Sequence, residues 1–186
     1  MNSNNCPVCL TPKAKLANAG GGSGLKIVCP RCGAFKLGWQ AEKQFCKEIT
    51  QQQRAILSGW IRKHQNCVIT SQNIKKLLAM PTPPVRVKAE WLLRYLAQVY
   101  PNPGAIIDLS ENVSLLLQAV ASALDQKELL YLMRDYLHEE VGFLHVSENA
   151  PKHGFESYKI SPKGWAYLDS QREENPRREI GFHVVQ

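Results

Sequence analysis

Cys6-Pro7-Val8-Cys9 and Cys29-Pro30-Arg31-Cys32-Gly33 decide how the start of this chain folds. Nineteen residues separate the two C-x-x-C knuckles. Four thiolates in the pattern C-x₂-C-x₁₅₋₂₀-C-x₂-C read as a tetrahedral zinc site. Each knuckle is a tight turn that aims two sulfurs at one metal. Pro after the first Cys pre-sets φ in both. The residue after the second Cys favours glycine, because the turn needs positive φ. Gly33 fits this and Leu10 does not. Two disulfides would need a secreted context, and a thioredoxin-like redox motif would need one pair in a βαβ unit. The expected ligands are Cys6, Cys9, Cys29 and Cys32, with Zn²⁺ in a structural role. Cys46 and Cys67 read as free buried thiols.

With 186 residues, 44% hydrophobic and 21% charged, the composition is that of an ordinary globular protein. No apolar run approaches a membrane span, and Met1–Asn5 has neither the basic start nor the apolar core of a signal peptide. The expectation is a cytoplasmic protein with no membrane partner. Net charge is +7, unevenly spread. Residues 1–100 hold fifteen Lys/Arg against three Glu, a balance of +12, whereas residues 101–186 hold eight against thirteen acids, a balance of −5. A basic half of this kind suits a polyanion. The expected nucleic-acid contacts are Arg62, Lys63, Lys75, Lys76, Arg86, Lys88 and Arg94, with Lys13, Lys15, Lys26, Arg31 and Lys36 decorating the cysteine unit. Such residues contact phosphate and set affinity without reading sequence.

Along the chain, Asn18–Gly24 reads as a flexible hairpin connection and Ala34–Gly38 as a strand. Helices are expected over Gln51–Gln65, over Gln72–Met80 with Ser71 as N-cap, and over Val85–Tyr100 with Pro84 as its first residue. These three form either a helix-turn-helix unit or plain helical packing. Asn102–Leu109 reads as an extended connector. Val113–Leu124 reads as a buried helix, and Gln126–Glu140 as a helix opened by Asp125 and Glu128 in a capping-box pattern. Gly142 ends that helix. Phe143–Ser147, a turn over Glu148–Gly154, and Phe155–Ile160 read as a two-stranded wing. Ser161-Pro162 then opens a last helix, Lys163–Glu173.

The expected fold is α+β in four parts: a zinc ribbon (1–48), a basic helical region (49–104), a winged helix (105–175) and a tail strand (176–186). The fragment Ile160-Ser161-Pro162-Lys163-Gly164 resembles the step from wing to last helix in many prokaryotic winged-helix proteins. A winged helix suggests DNA. Here, however, Glu128, Asp135, Glu139 and Glu140 on Gln126–Glu140 would meet phosphate repulsion, so dimerisation or a protein partner is expected for the acidic half. The five histidines are scattered, and no Walker or G-x-S-x-G pattern occurs. No enzymatic activity is expected.

Arg54-Ala-Ile-Leu-Ser-Gly-Trp-Ile-Arg62, Leu92–Ala97 and the Pro-Lys-Gly-Trp step, in this order after a zinc ribbon, resemble the N-terminal region of a group of bacterial proteins associated with phage defence. In that group a TIR-like or nucleotide-hydrolase-like domain often follows. The basic half leads to the expectation of a zinc-containing nucleic-acid-binding protein, a DNA-binding regulator or sensing module; the alternative is an adaptor of a phage-defence system without nucleic-acid contact. Glu179–Gln186 reads as the first strand of a following domain or as an addition to the winged helix's own sheet. The former would make the chain part of a longer architecture, the latter a stand-alone regulator.

Overall fold

The computed structural model describes residues 5–20, 24–45, 49–147 and 157–174 and is α+β. The expected tail strand, the Glu148–Gly154 turn and Cys46 lie outside them. Strands β1 (Lys15–Asn18), β2 (Leu25–Cys29) and β3 (Gly33–Leu37) form an antiparallel meander. A two-residue strand β4 (Val68–Ile69) adds parallel to β3. Alternation puts Ile27, Phe35, Leu37 and Ile69 on one face, where all are buried. That face packs on Leu57 and Ile61 of α2 (Gln51–Lys63) and on Ile74 and Leu77 of α3 (Ile74–Leu78), with the cysteines at its end. Helix α1 (Trp39–Phe45) follows β3 and adds Ala41 to this core.

Thr50 starts α2 with a reciprocal capping box, its side chain accepting from Gln53 N while Gln53 reaches back to Thr50 N. The start of α3 differs from expectation. Thr70 and Asn73 satisfy each other's backbone N–H groups, while the Ser71 hydroxyl donates to Gln40 instead. Ser71 is therefore not the cap.

The second unit begins with α4 (Val85–Val99), which Pro84 precedes as N-cap rather than opening as its first residue. It continues through β5 (Ile107–Asp108), α5 (Glu111–Val120), α6 (Gln126–Leu130, running on in wider π-helical turns over Tyr131–Glu140), β6 (Leu144–Val146), β7 (Ser157–Ile160) and α7 (Pro162–Glu174). Its sheet has the order β5-β7-β6, all antiparallel. Strand β5 falls in the stretch expected as a connector, because two residues are too short to show alternation. Asp125 caps α6 as expected by accepting from Glu128 N. Ser161 caps α7, accepting from Gly164 N and donating to Gly142 O. Leu130 of α6 faces solvent.

Two apolar cores result. One gathers the cysteine knuckles, the four-stranded sheet, α1, α2 and α3; the other gathers everything from α4 to α7. Helices α2 and α3 share the apolar core of the cysteine knuckles, and α4 packs in the other. The cores meet where α2 crosses the end of α5. Gly59 makes this crossing possible: a Cβ there would sit 2.1 Å from Ser122 Oγ and 2.7 Å from Ala119 O. Hence α2 is buried on two sides, with Ala55, Ile56, Ser58 and Gly59 covered as well as Leu57 and Ile61.

Candidate metal centre

The knuckles bring Cys6, Cys9, Cys29 and Cys32 together, with all four Sγ atoms within 4.8 Å of one another. Among the described residues they are the one cluster able to hold a metal ion. Cys6 and Cys32 sulfurs lie 3.9 Å apart, and those of Cys9 and Cys29 lie 3.5 Å apart. Tetrahedral zinc–thiolate bonds of about 2.3 Å place sulfurs about 3.8 Å from each other. Disulfides need about 2.05 Å. The donor set and its dimensions therefore fit one four-coordinate ion and exclude bridges between these pairs. Both knuckles make the same turn. Leu10 has φ 63° and Gly33 has φ 88°, so the first knuckle takes the left-handed position without glycine. The turn closes with Leu10 N donating to Cys6 O and Cys6 N donating to Thr11 O.

Thiolates this close repel one another unless a cation sits among them. Burial pushes the Cys32 thiol up, whereas hydrogen bonding with Cys29 and Cys32 pulls the Cys9 thiol down. Two hydroxyls lie against the sulfurs, Thr11 at 3.2 Å from Cys9 and Ser58 at 3.3 Å from Cys32. Both can donate to a metal-bound thiolate.

The motif Arg54–Arg62 of α2 is the cradle of this centre. Arg54, Ser58 and Arg62 are spaced i, i+4, i+8 and so share one helix face. Arg54 donates to Pro7 O and Val8 O at 3.0 and 2.7 Å. Arg62 donates to Arg31 O at 2.9 Å and to Pro30 O at 2.6 Å. Gln65, one turn on, accepts from Ala34 N and donates to Cys32 O. Each knuckle thus hangs by its carbonyls from an arginine. Four thiolates around a divalent ion carry about −2 in charge, and burial lowers the Arg62 pKa while the nearby thiolates favour its charged form. Arg31 leaves the second knuckle the other way, donating to Ala123 O and Leu124 O of the second unit.

The remaining expected contacts divide into two groups. Arg31 and Lys88, expected on the surface, are buried. Lys88 Nζ lies 2.6 Å from Glu128 Oε1. Arg62 is turned onto the knuckle. Arg94 pairs with Glu90 at 2.7 Å and reaches Gln171. Lys63 sits 3.0 Å over the Trp91 ring, and burial pulls its pKa down to about 8. Lys75, Lys76 and Arg86 are exposed. Charge counts carry no direction, which is why the inward arginines were missed; their i, i+4, i+8 spacing was the signal available. Cys67 is half-buried, and burial pushes its thiol up to about 11, as suits an unreactive thiol.

No protein-family model matches the chain, and no curated protein or solved structure matches it either. Among the described residues no helix is long and apolar enough to cross a membrane.

The cradle carries its own prediction. Arg62→Ala removes three donor contacts to the second knuckle and is expected to lower metal affinity by about 10–100-fold, the range for groups that orient ligands. Competition with a chromogenic chelator measures this. An unchanged affinity would reduce Arg62 to a packing role.

Proposed function

We propose that the protein is a zinc-containing nucleic-acid-binding protein, a DNA-binding regulator or sensing module in which zinc is structural. In this reading the first unit is a zinc ribbon with its supporting helices. The second is a winged helix, in keeping with the order helix, strand, helix, helix, strand, strand, helix and the sheet order β5-β7-β6. The observation that carries the reading is the charge of the first hundred residues, fifteen Lys/Arg against three Glu. Five of those cations are used internally, on the knuckles, the second unit, Glu128 and Glu90. Lys75, Lys76 and Arg86 remain outside, with the lysines of the sheet. The second unit is a poor phosphate surface, since exposed Asp135, Glu139 and Glu140 line the end of α6.

Fluorescence anisotropy with a labelled DNA duplex, in a series of salt concentrations, tests this. Binding at low salt that weakens steeply as salt rises is expected. The pair Lys75→Ala/Lys76→Ala is expected to weaken binding more than Lys152→Ala/Lys159→Ala. No binding at low salt ends the reading, and the opposite ranking moves the contact to the second unit.

A second reading is an adaptor, of the kind the motif resemblance suggests for phage-defence systems. It rests on α6, where Leu130 and Tyr131 are exposed beside acidic residues. That surface suits a basic protein partner or a second copy of the chain. A dimer in sedimentation that Tyr131→Glu disperses would favour it.

A further inference from the structure

We propose that the outer face of the β1–β4 sheet is a docking surface for the phosphate backbone of nucleic acid, with Lys15, Lys26 and Lys36 as its contacts. This rests on the nucleic-acid reading above and locates it on a face that the helical residues do not include. The strand register carries the inference. Lys26 stands directly opposite Lys36, and Lys15 opposite Val28, one diagonal step from Lys26. The pleat puts all three on the face away from the core, and all three are exposed. No Asp or Glu occurs in any of the four strands. Among the described residues none of the three lysines has an ion-pair partner.

Like charges placed directly opposite across two strands destabilise a sheet. The core does not require this pair, because both side chains point into water. An anion lying across β2 and β3 would turn the repulsion into a shared contact. The space between the lysines holds Ala17, Val28 and Val68, small or apolar and open to solvent. These three side chains are small or aliphatic and offer no ring to stack a base. The face therefore suits backbone contact with little sequence preference.

The test uses the full chain loaded with zinc and a random-sequence DNA duplex. The slope of log Kobs against log salt is measured for the unaltered protein, for Lys15→Gln/Lys26→Gln/Lys36→Gln, and for Lys26→Gln alone. Each lost contact on duplex DNA flattens the slope by about 0.9. The triple variant is expected to flatten it by about 2.7, and the single variant by about 0.9. Lys26→Gln also removes the like-charge pair, so its melting temperature is expected to hold or rise while affinity falls. A purely structural lysine would not separate the two readouts in that way. If the protein binds the duplex and the triple variant keeps the original slope, this surface is wrong while the nucleic-acid reading stands. If the unaltered protein binds no duplex at low salt, both fall. A labelled acidic peptide that binds the chain, under conditions where the duplex does not bind, and is lost in the triple variant would likewise overturn the proposal in favour of a protein ligand.

Discussion

Cys29→Ser is expected to unfold the first unit while leaving the second in place. Cys29 ends β2 and contributes one of four sulfurs to the centre. Around that centre are gathered Val8, Ile27, Phe35 and Leu57, all buried. The unit is small, and its knuckles have little apolar surface of their own, so a metal ion held by the four sulfurs would supply folding free energy directly. Apparent values for such four-ligand zinc sites are about 10–16 kcal/mol. Serine is a poor zinc ligand, and three thiolates left in a buried site would repel one another. Hydrogen exchange on the full chain reads the outcome segment by segment. Protection is expected to vanish over Leu25–Cys29, Gly33–Leu37 and Gln51–Lys63 and to persist over Val85–Val99 and Glu111–Val120. Full protection of the first unit in the variant would mean that its core stands without metal.

Glu128→Gln is expected to cost about 3–5 kcal/mol, the range for breaking a buried ion pair by removing one partner. Lys88 is 3% exposed and its Nζ meets Glu128 Oε1 at 2.6 Å. The other carboxylate oxygen accepts from Leu124 N at 2.6 Å and so holds the turn into α6. The variant keeps the size of the side chain but leaves a cation buried without its counter-charge. For a chain of this length that corresponds to a fall in melting temperature of roughly 10 °C. The double variant Lys88→Met/Glu128→Gln is expected to recover much of the loss, since no unpaired charge remains. Urea denaturation of the three proteins decides it. A single-variant loss below about 1 kcal/mol, the ceiling for surface pairs, would place Lys88 in water.

Much of this arrangement is legible in the residues. The cysteine spacing gives the ligand set, and the distances between the sulfurs agree with it. The apolar stripe of α2, the caps Asp125 and Ser161, and the stop at Gly142 follow from local chemistry that tertiary packing does not override. The rest depends on contacts that a sequence does not carry. Gly59 is buried because α5 crosses there, and nothing local announces a crossing. Arg54 and Arg62 count as positive charge in any tally, yet both spend it on backbone carbonyls. Leu10 takes a left-handed turn that favours glycine, since the knuckle geometry outweighs the preference. Strand β5 exists only because β7 lies beside it. The basic half is accordingly less basic on its surface than its composition suggests; its exposed cations among the described residues include the sheet-face lysines, Lys75 and Lys76 of α3, Lys13, Lys43 and Arg86.

The central claim is that the four cysteines hold one zinc ion and that this centre organises the basic unit. Native mass spectrometry of the purified chain, compared with the same sample denatured in acid, tests it most directly. One zinc ion per chain in the native spectrum, lost in acid with all six cysteines recovered as free thiols, is the expected result. A native mass with no metal, or a denatured mass showing two disulfides, would contradict it.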